Sequence, residues 1–331
     1  MNKLIFKLFY YKAPFVILVL MVIFLSGCIP KVTIEQIPHE TNKNPEIYFC
    51  PKEDCGKILE SHINNANFSV YCAFYDLDLK NVINALSKKS KTVDVKLVMD
   101  NTNSDGQIKG EGIKIDDNGQ LMHNKFCIID GSIITSGSLN PTDNGNYRNK
   151  NNLVVIYSKA LAENYNDEFN ELWNGDFGEG DNSKYPTVFI NDAKIENYFC
   201  PEDDCAAKVI DSIKNARKSI HFMTFSFTHE DIADALIKKS DLTIKGILDS
   251  TQASGRYSQL KRLKEFGINV KKDTNKYKMH HKVFIIDNQT VITGSFNPTL
   301  SGDTRNDENL LIIHDDKIAD DFLKEFDDLW E

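Results

Sequence analysis

Apolar positions along this chain fall into short blocks, and the order of the blocks occurs twice. Helical spacing of apolar residues runs over Gly56–Asn65 and again over Ala206–Asn215. Ser69–Tyr75 and Ser219–Phe227 predict buried strands, Leu79–Lys88 and Ile232–Lys239 predict helices, and Val93–Met99 and Leu242–Leu248 predict strands. Phe126–Ile129 and Val283–Ile286 are apolar without interruption, the pattern of a strand covered on both faces. Ile133–Thr135 and Val291–Thr293 follow Asp-Gly and Asp-Asn turn signals and complete a hairpin in each half. Leu153–Ile156 and Leu310–Ile313 add one more strand. A helix ending in Glu168-Phe-Asn-Glu-Leu-Trp173 or Glu325-Phe-Asp-Asp-Leu-Trp330 then closes each half. Strands alternating with helices predict an α/β sandwich with a mixed sheet in each half, and the recurrence marks an internal duplication.

Polar segments set the boundaries. Residues 46–175 form the first half and 191–331 the second. The Gly- and Asp-rich stretch between them, residues 176–190, reads as a linker, and the polar residues 29–45 as a stalk. The first 28 residues read as a signal peptide: Lys3, Lys7 and Lys12 precede an apolar run from Ala13 to Leu25, shorter than the roughly 20 residues of a bilayer span. The run ends in Leu25-Ser26-Gly27-Cys28, which resembles the lipobox of secreted lipoproteins and implies lipidation at Cys28. The alternative is an uncleaved signal anchor. Either places the body at the cell membrane, on its extracytoplasmic side.

Cysteine usage agrees with export. Cys50 and Cys55, and Cys200 and Cys205, lie in matching Tyr-Phe-Cys-Pro turns and read as two short-loop disulfides, with a four-thiolate zinc site as the competing reading. Cys72 and Cys127 sit in apolar strands and are expected to be buried free thiols. Hydrophobic residues make up 41% of the chain and charged residues 26%, enough for a packed core. The net charge of −9 argues against a protein that coats nucleic acid, although a basic cleft can sit in an acidic body.

Within this frame a string with fixed spacing occurs twice: His123, Lys125, Asp130, Gly137, Ser138, Asn140, and His280, Lys282, Asp287, Gly294, Ser295, Asn297. Residues two apart on a strand share a face, so each copy offers an imidazole and an ammonium together. The Gly-Ser turn before Asn140 and Asn297 is placed to present hydroxyl and amide donors to the same anion, marking Ser138 and Ser295 as substrate-binding candidates. Asp130 and Asp287 open turns and are expected to be structural. His281 points to the opposite strand face from His280 and is expected to pack. His62, His221, His229 and His314 have no chemical context.

The string resembles the signature of the phospholipase D superfamily, His-x-Lys-x4-Asp followed by Gly-Ser-x-Asn, over essentially everything after the stalk. The second half, with Met279-His-His-Lys-Val-Phe-Ile-Ile-Asp287 and Asn306-Asp-Glu-Asn-Leu310, is similar to small nuclease and cardiolipin-hydrolase members. Those pair two chains to complete one site; here a single chain with a pseudo-two-fold site, acting as a monomer, is implied. The resemblance implies phosphodiester hydrolysis in two steps. One His attacks phosphorus, and the other protonates the leaving alcohol and then activates water, while Lys125, Lys282, Asn140 and Asn297 clamp the phosphate. It also implies a carboxylate that orients His. Glu308 holds that place in the second half and Asn151, a departure taken with Ser138 and Ser295 as a substrate-binding candidate, in the first, so that His280 is expected to be the more basic, with His123 the nucleophile. No cofactor and no metal are implied, and catalysis should be insensitive to chelators. The substrate is phospholipid or nucleic acid, giving an exported, membrane-anchored phosphodiesterase of phospholipase D type, an extracytoplasmic endonuclease, or an inactive binding protein of the same fold as the candidate functions.

Overall fold

The computed structural model describes residues 37–103 and 110–331. The expected signal peptide, the lipidation candidate Cys28 and residues 29–36 of the expected stalk lie outside them. Residues 37–331 form one compact unit. In chain order its elements are β1 (His39–Glu40), β2 (Glu46–Cys50), α1 (Cys55–Asn64), β3 (Ser69–Phe74), α2 (Lys80–Lys89), β4 (Asp94–Met99), β5 (Ile113–Ile115), β6 (Lys125–Ile129), β7 (Ile133–Gly137), α3 (Asp143–Tyr147), β8 (Asn151–Tyr157) and α4 (Lys159–Asn174). The second half repeats the series as β9 (Thr187–Ile190), β10 (Ala193–Cys200), α5 (Cys205–Asn215), β11 (Ser219–Thr224), α6 (Glu230–Ile237), β12 (Thr243–Leu248), α7 (Leu260–Glu265), β13 (Asn269–Lys272), β14 (Lys282–Ile286), β15 (Thr290–Gly294), α8 (Leu300–Thr304), β16 (Glu308–His314) and α9 (Asp316–Trp330).

Each half builds its own mixed sheet. The first runs β2-β8-β7-β6-β3-β4-β5, and the second β10-β16-β15-β14-β11-β12-β13, extended at its outer edge by β9 and β1. Strands β3, β4 and β5 are parallel, as are β11, β12 and β13, whereas β6 and β14 run antiparallel beside them. The inner faces share a single core. Tyr165 and Phe169 of α4 and Phe322 and Phe326 of α9 pack with Phe126, Val154, Val283 and Leu311 of the two sheets. Separate cores under α1 and α2, and under α5 and α6, cover the outer faces. This explains the uninterrupted apolar blocks: every residue of β6 and of β14 is buried. Ser158 caps α4 by accepting from Leu161 N, and Gly175 ends it with a left-handed φ of 102° that a side chain would disfavour.

Three expectations shift. The end of the stalk is docked: β1 pairs with β9, and the Glu40 carboxylate accepts from Lys159 N (3.1 Å) and Ala160 N (3.0 Å) at the start of α4. The last four residues of the linker are strand β9, folded back on β10. Cys72 and Cys127 are not free thiols but a disulfide with Cα atoms 4.1 Å apart. Both strands were legible, but not that β3 and β6 are neighbours whose register sets these two positions directly opposite each other. Cys50–Cys55 and Cys200–Cys205 are disulfides, so the four-thiolate zinc alternative falls.

Candidate active site

The two motif strands carry the site. His123 lies two residues before Lys125 at the start of β6, and His280 stands in the same relation to Lys282 in β14. Exposures run from 2% to 8%, so all four side chains are held in nearly dry surroundings. The backbone that leads into each strand is fixed by the opposite half. His123 N donates to Asp307 O (2.9 Å) and Asp307 N to Leu121 O (3.0 Å); His280 N donates to Lys150 O (2.8 Å) and Lys150 N to Lys278 O (2.9 Å).

These bridges decide which orienting residue serves which imidazole. The residue after Asp307 is Glu308, whose Oε2 lies 2.8 Å from Nδ1 of His123. The residue after Lys150 is Asn151, whose Oδ1 lies 2.9 Å from Nδ1 of His280, with the Ser138 carbonyl oxygen at 3.1 Å. The expectation that Glu308 makes His280 the more basic histidine is therefore corrected. The carboxylate serves His123 and the amide serves His280, because the partner is supplied across the pseudo-two-fold and not within the half.

Burial dominates the electrostatics. It pushes His123 well below the usual imidazole value, with the Lys125 and Lys282 ammonium groups pushing the same way, and it lowers His280 likewise, with Lys282 as the next cause. It brings Lys125 down to about 7 and lifts Glu308 to about 8. Every group is thus driven toward its neutral form. A phosphodiester anion placed among two imidazoles and two ammonium groups reverses that drive for all four, so the cluster is built to hold negative charge.

Both imidazoles, Asn140, Asn151 and Asn297 line one cleft of about 720 Å³. The side-chain oxygens of Asn140 and Asn297 have no partner in the protein, which leaves both amides uncommitted toward the cleft. Ser138 and Ser295 do not match their substrate-binding assignment. Both are fully buried; Ser138 Oγ accepts from Asn152 N (3.0 Å) and Ser295 Oγ from Asn309 N (2.9 Å), so their hydroxyls brace the β8 and β16 segments. Asn151 is likewise committed: its Nδ2 donates to Gly145 O (2.9 Å) while its Oδ1 meets His280, making it a positioning residue. Gly137 and Gly294 have φ of 129° and 143°, and a Cβ on either would strike the carbonyl of Asn152 or Asn309, which accounts for the glycine in each Gly-Ser turn.

Asp130 and Asp287 are structural, as read. Asp130 accepts from Asn67 N (2.8 Å), Phe68 N (2.7 Å) and Ser69 N (3.0 Å), and Asp287 from Arg217 N (2.9 Å), Lys218 N (2.6 Å) and Ser219 N (2.9 Å). His281 points away from the cleft, 3.5 Å from Glu325. His229 and His314 pair with Asp303 and Glu196. Two residues escaped the sequence reading: Tyr75 and Phe225, whose rings lie 4.7 Å from those of His123 and His280, with Lys125 and Lys282 over their faces. Their signal was positional equivalence in the two repeats, directly after β3 and β11. Among the described residues, three carboxylates close enough to share a metal ion are Glu168, Glu171 and Glu202, and none of them lines the cleft.

Two sandwich halves that bring paired His and Asn residues to one cleft, with a Lys beside each His, define a phosphodiesterase of phospholipase D type. Comparison with known proteins agrees. The family described as "Cardiolipin synthase, PLD-like domain" matches twice, over residues 59–173 and 209–330, and the chain belongs to this family. It is 32% identical over 142 residues to phospholipase D of Rickettsia prowazekii (strain Madrid E), covering 42% of this chain and 69% of the relative. It is 31% identical over 127 residues to mitochondrial cardiolipin hydrolase of Chlamydomonas reinhardtii, covering 38% of this chain and 57% of that protein. Among solved structures, phosphatidylserine synthase of Haemophilus influenzae Rd KW20 superposes with a TM-score of 0.63 over 82% of this chain and 83% of that one; at 11% identity this bears on the fold alone.

Proposed function

We propose that the chain is an exported, membrane-anchored phosphodiesterase that cleaves phospholipid through a phosphohistidine, with His123 as nucleophile and His280 as acid and base. The observation that carries this reading is the unequal orientation of two imidazoles lining one cleft. As Nε2 of His123 attacks phosphorus, positive charge grows on its ring, and the Glu308 carboxylate at Nδ1 stabilises it. The P–O bond to the leaving group breaks as His280 gives that oxygen its proton. Held by an amide and a carbonyl and facing the Lys282 ammonium, His280 is the weaker base and hence the stronger acid. Neutral His280 then takes a proton from water, the water oxygen bonds to phosphorus, the P–N bond breaks, and His123 is released. Lys125, Lys282, Asn140 and Asn297 hold the non-bridging oxygens throughout.

The phospholipid substrate is supported by the lipobox-like Leu25-Ser26-Gly27-Cys28, which would keep the cleft beside a bilayer. A second reading, an extracytoplasmic endonuclease, is favoured by the cleft mouth, where Lys276, Tyr277 and Lys278 line the opening and the Arg148 guanidinium lies over the Tyr277 ring. Hydrolysis of bis-(p-nitrophenyl) phosphate tests the chemistry common to both. Phosphatidylcholine and cardiolipin vesicles assayed against plasmid DNA separate them. A well-folded His280→Ala chain that still turns over any diester would overturn the assignment. A Cys28→Ala chain that stays in the membrane fraction would remove the lipid anchor from the proposal.

A further inference from the structure

The closing helices of the two halves carry equivalent acidic pairs, Glu168 and Glu171 on α4 and Glu325 and Asp328 on α9. Residues three apart share one helix face. Each pair meets the cysteine turn of the opposite half. On one side the partner is Lys52, which follows Pro51; its Nζ lies 2.5 Å from Glu325 Oε2 and 2.5 Å from Asp328 Oδ2, so an ammonium ties α9 to the turn after β2. On the other side the residue in the same place, following Pro201, is Glu202. One interface therefore joins two carboxylates through a cation, and its pseudo-symmetric counterpart sets three carboxylates against one another.

One oxygen from each of Glu168, Glu171 and Glu202 lies within 4.8 Å of the other two. No ion pair among the described residues reaches any of the three. Glu168 is only 4% exposed, and its Oε1 accepts from Asn124 (2.8 Å). Glu202 Oε2 is sealed from solvent and has no donor. Asp307, also 4% exposed, has Glu202 as its foremost charged neighbour and adds a second sealed oxygen, Oδ2, without a donor. The chain closes over the group at Gly180, where a Cβ would strike the carboxylates of Glu171 and Glu202, while Asp181 N donates to Glu171 Oε1 (3.0 Å). Sealed carboxylate oxygens without donors are costly to bury, and a cation at their centre offsets that cost.

We propose that Glu168, Glu171 and Glu202 bind a divalent cation that does in one interface what the Lys52 ammonium does in the other, clamping α4 of the first half to the cysteine turn of the second. Calcium is the ion whose flexible, oxygen-only coordination suits carboxylates drawn from a helix and a turn; magnesium demands near-ideal octahedral geometry. The ion lies behind the cleft, so its role is to hold the halves together, and the chemistry at phosphorus proceeds without it.

The test uses the full chain in detergent, stripped with EDTA and titrated with calcium chloride by calorimetry and thermal unfolding. One saturable calcium ion is expected, with Kd at or below about 1 mM, and a rise of several degrees in Tm at saturation. Glu171→Gln should weaken binding about tenfold or more. Glu202→Lys, which copies the charge of Lys52, should abolish binding and in EDTA should melt above the wild type. Absence of saturable binding up to about 10 mM calcium, or calcium affinity unchanged in Glu202→Lys, overturns the site. Should Glu202→Lys fail to fold, Glu202→Gln decides: wild-type affinity there refutes the proposal, and lost affinity in a folded chain supports it.

Discussion

Replacing Glu308 by Gln isolates the feature that makes the two histidines unequal. The amide keeps an acceptor oxygen for Nδ1 of His123, so the ring orientation survives, but it cannot ionise as positive charge grows on the ring. Glu308 is wholly buried and its Oε2 is 2.8 Å from the ring, so solvent does little to screen the pair. A hydrogen bond to a charged partner contributes about 1.5–3 kcal/mol, and in the proposed mechanism the charge on His123 is largest as phosphorus is attacked. A loss of about 2–3 kcal/mol at that step corresponds to a decrease of about 30- to 150-fold in kcat/KM. The assay is a stopped-flow burst with bis-(p-nitrophenyl) phosphate, whose leaving group needs little help from an acid. Glu308→Gln should slow the burst itself. His280→Ala should keep a burst and stop before a second turnover, because water is no longer activated. Stability gives an independent readout. Burial lifts Glu308 from its ordinary 4.5 to about 8, so the folded state holds a proton that the unfolded chain releases, and the wild type loses stability as pH rises across that interval. The Gln variant lacks this dependence and should melt no lower than the wild type at pH 8. A wild-type burst rate in Glu308→Gln, with a slowed burst in Asn151→Ala, would refute the cross-half pairing.

Asp130→Ala should destabilise the fold by about 1–2 kcal/mol by removing an acceptor shared by three backbone N–H groups. Burial alone would raise this carboxyl, but those donors from Asn67, Ser69 and Phe68 hold it below its ordinary 3.8. The contribution is therefore complete above that value and fades as acid takes the pH through the lower folded value; urea midpoints at pH 7 and pH 3 check both points. Replacing Cys72 and Cys127 together by Ala opens a cross-link between positions 55 residues apart and should cost up to about 4 kcal/mol, read from urea unfolding without reductant. Inorganic phosphate should raise Tm by a few degrees, and Lys125→Ala should remove most of that rise; an equal rise in both chains would detach Lys125 from the anion site.

What the sequence disclosed and what it withheld divide along a physical line. Local signals carried through: the uninterrupted apolar blocks became β6 and β14, the Asp turns became backbone-bonded corners, and the paired-cysteine turns became disulfides. The shared cleft followed from the duplicated string, because equivalent strands carry equivalent side chains. Properties that depend on which strands are neighbours did not come through. Cys72 and Cys127 lie on strands separated by α2, β4 and β5 in the chain but adjacent in the sheet. The partner of His123 sits 185 residues away, and spacing along the chain cannot say that Glu308 crosses to the other half. Ser138 and Ser295 look like donors in the string, and only burial shows that their hydroxyls are spent on the neighbouring strand.

A site assembled from two identical chains must carry the same orienting residue on both sides, since one position supplies both. Fusion of the halves removes that constraint, and this chain departs from symmetry at paired places: Glu308 against Asn151 in the cleft, and Lys52 against Glu202 behind it. In the mechanism proposed above, the first departure makes one imidazole more basic than the other, which suits a displacement followed by hydrolysis, because nucleophile and proton donor want opposite basicities at the same moment. A symmetric site has to create that difference with the substrate; here it is built into the protein. Asn151→Asp restores the symmetric arrangement and should raise the basicity of His280, weakening it as an acid. The loss should therefore be larger for a diester with an alkyl leaving group than for bis-(p-nitrophenyl) phosphate, and equal losses on the two substrates would show that the asymmetry is not used in catalysis.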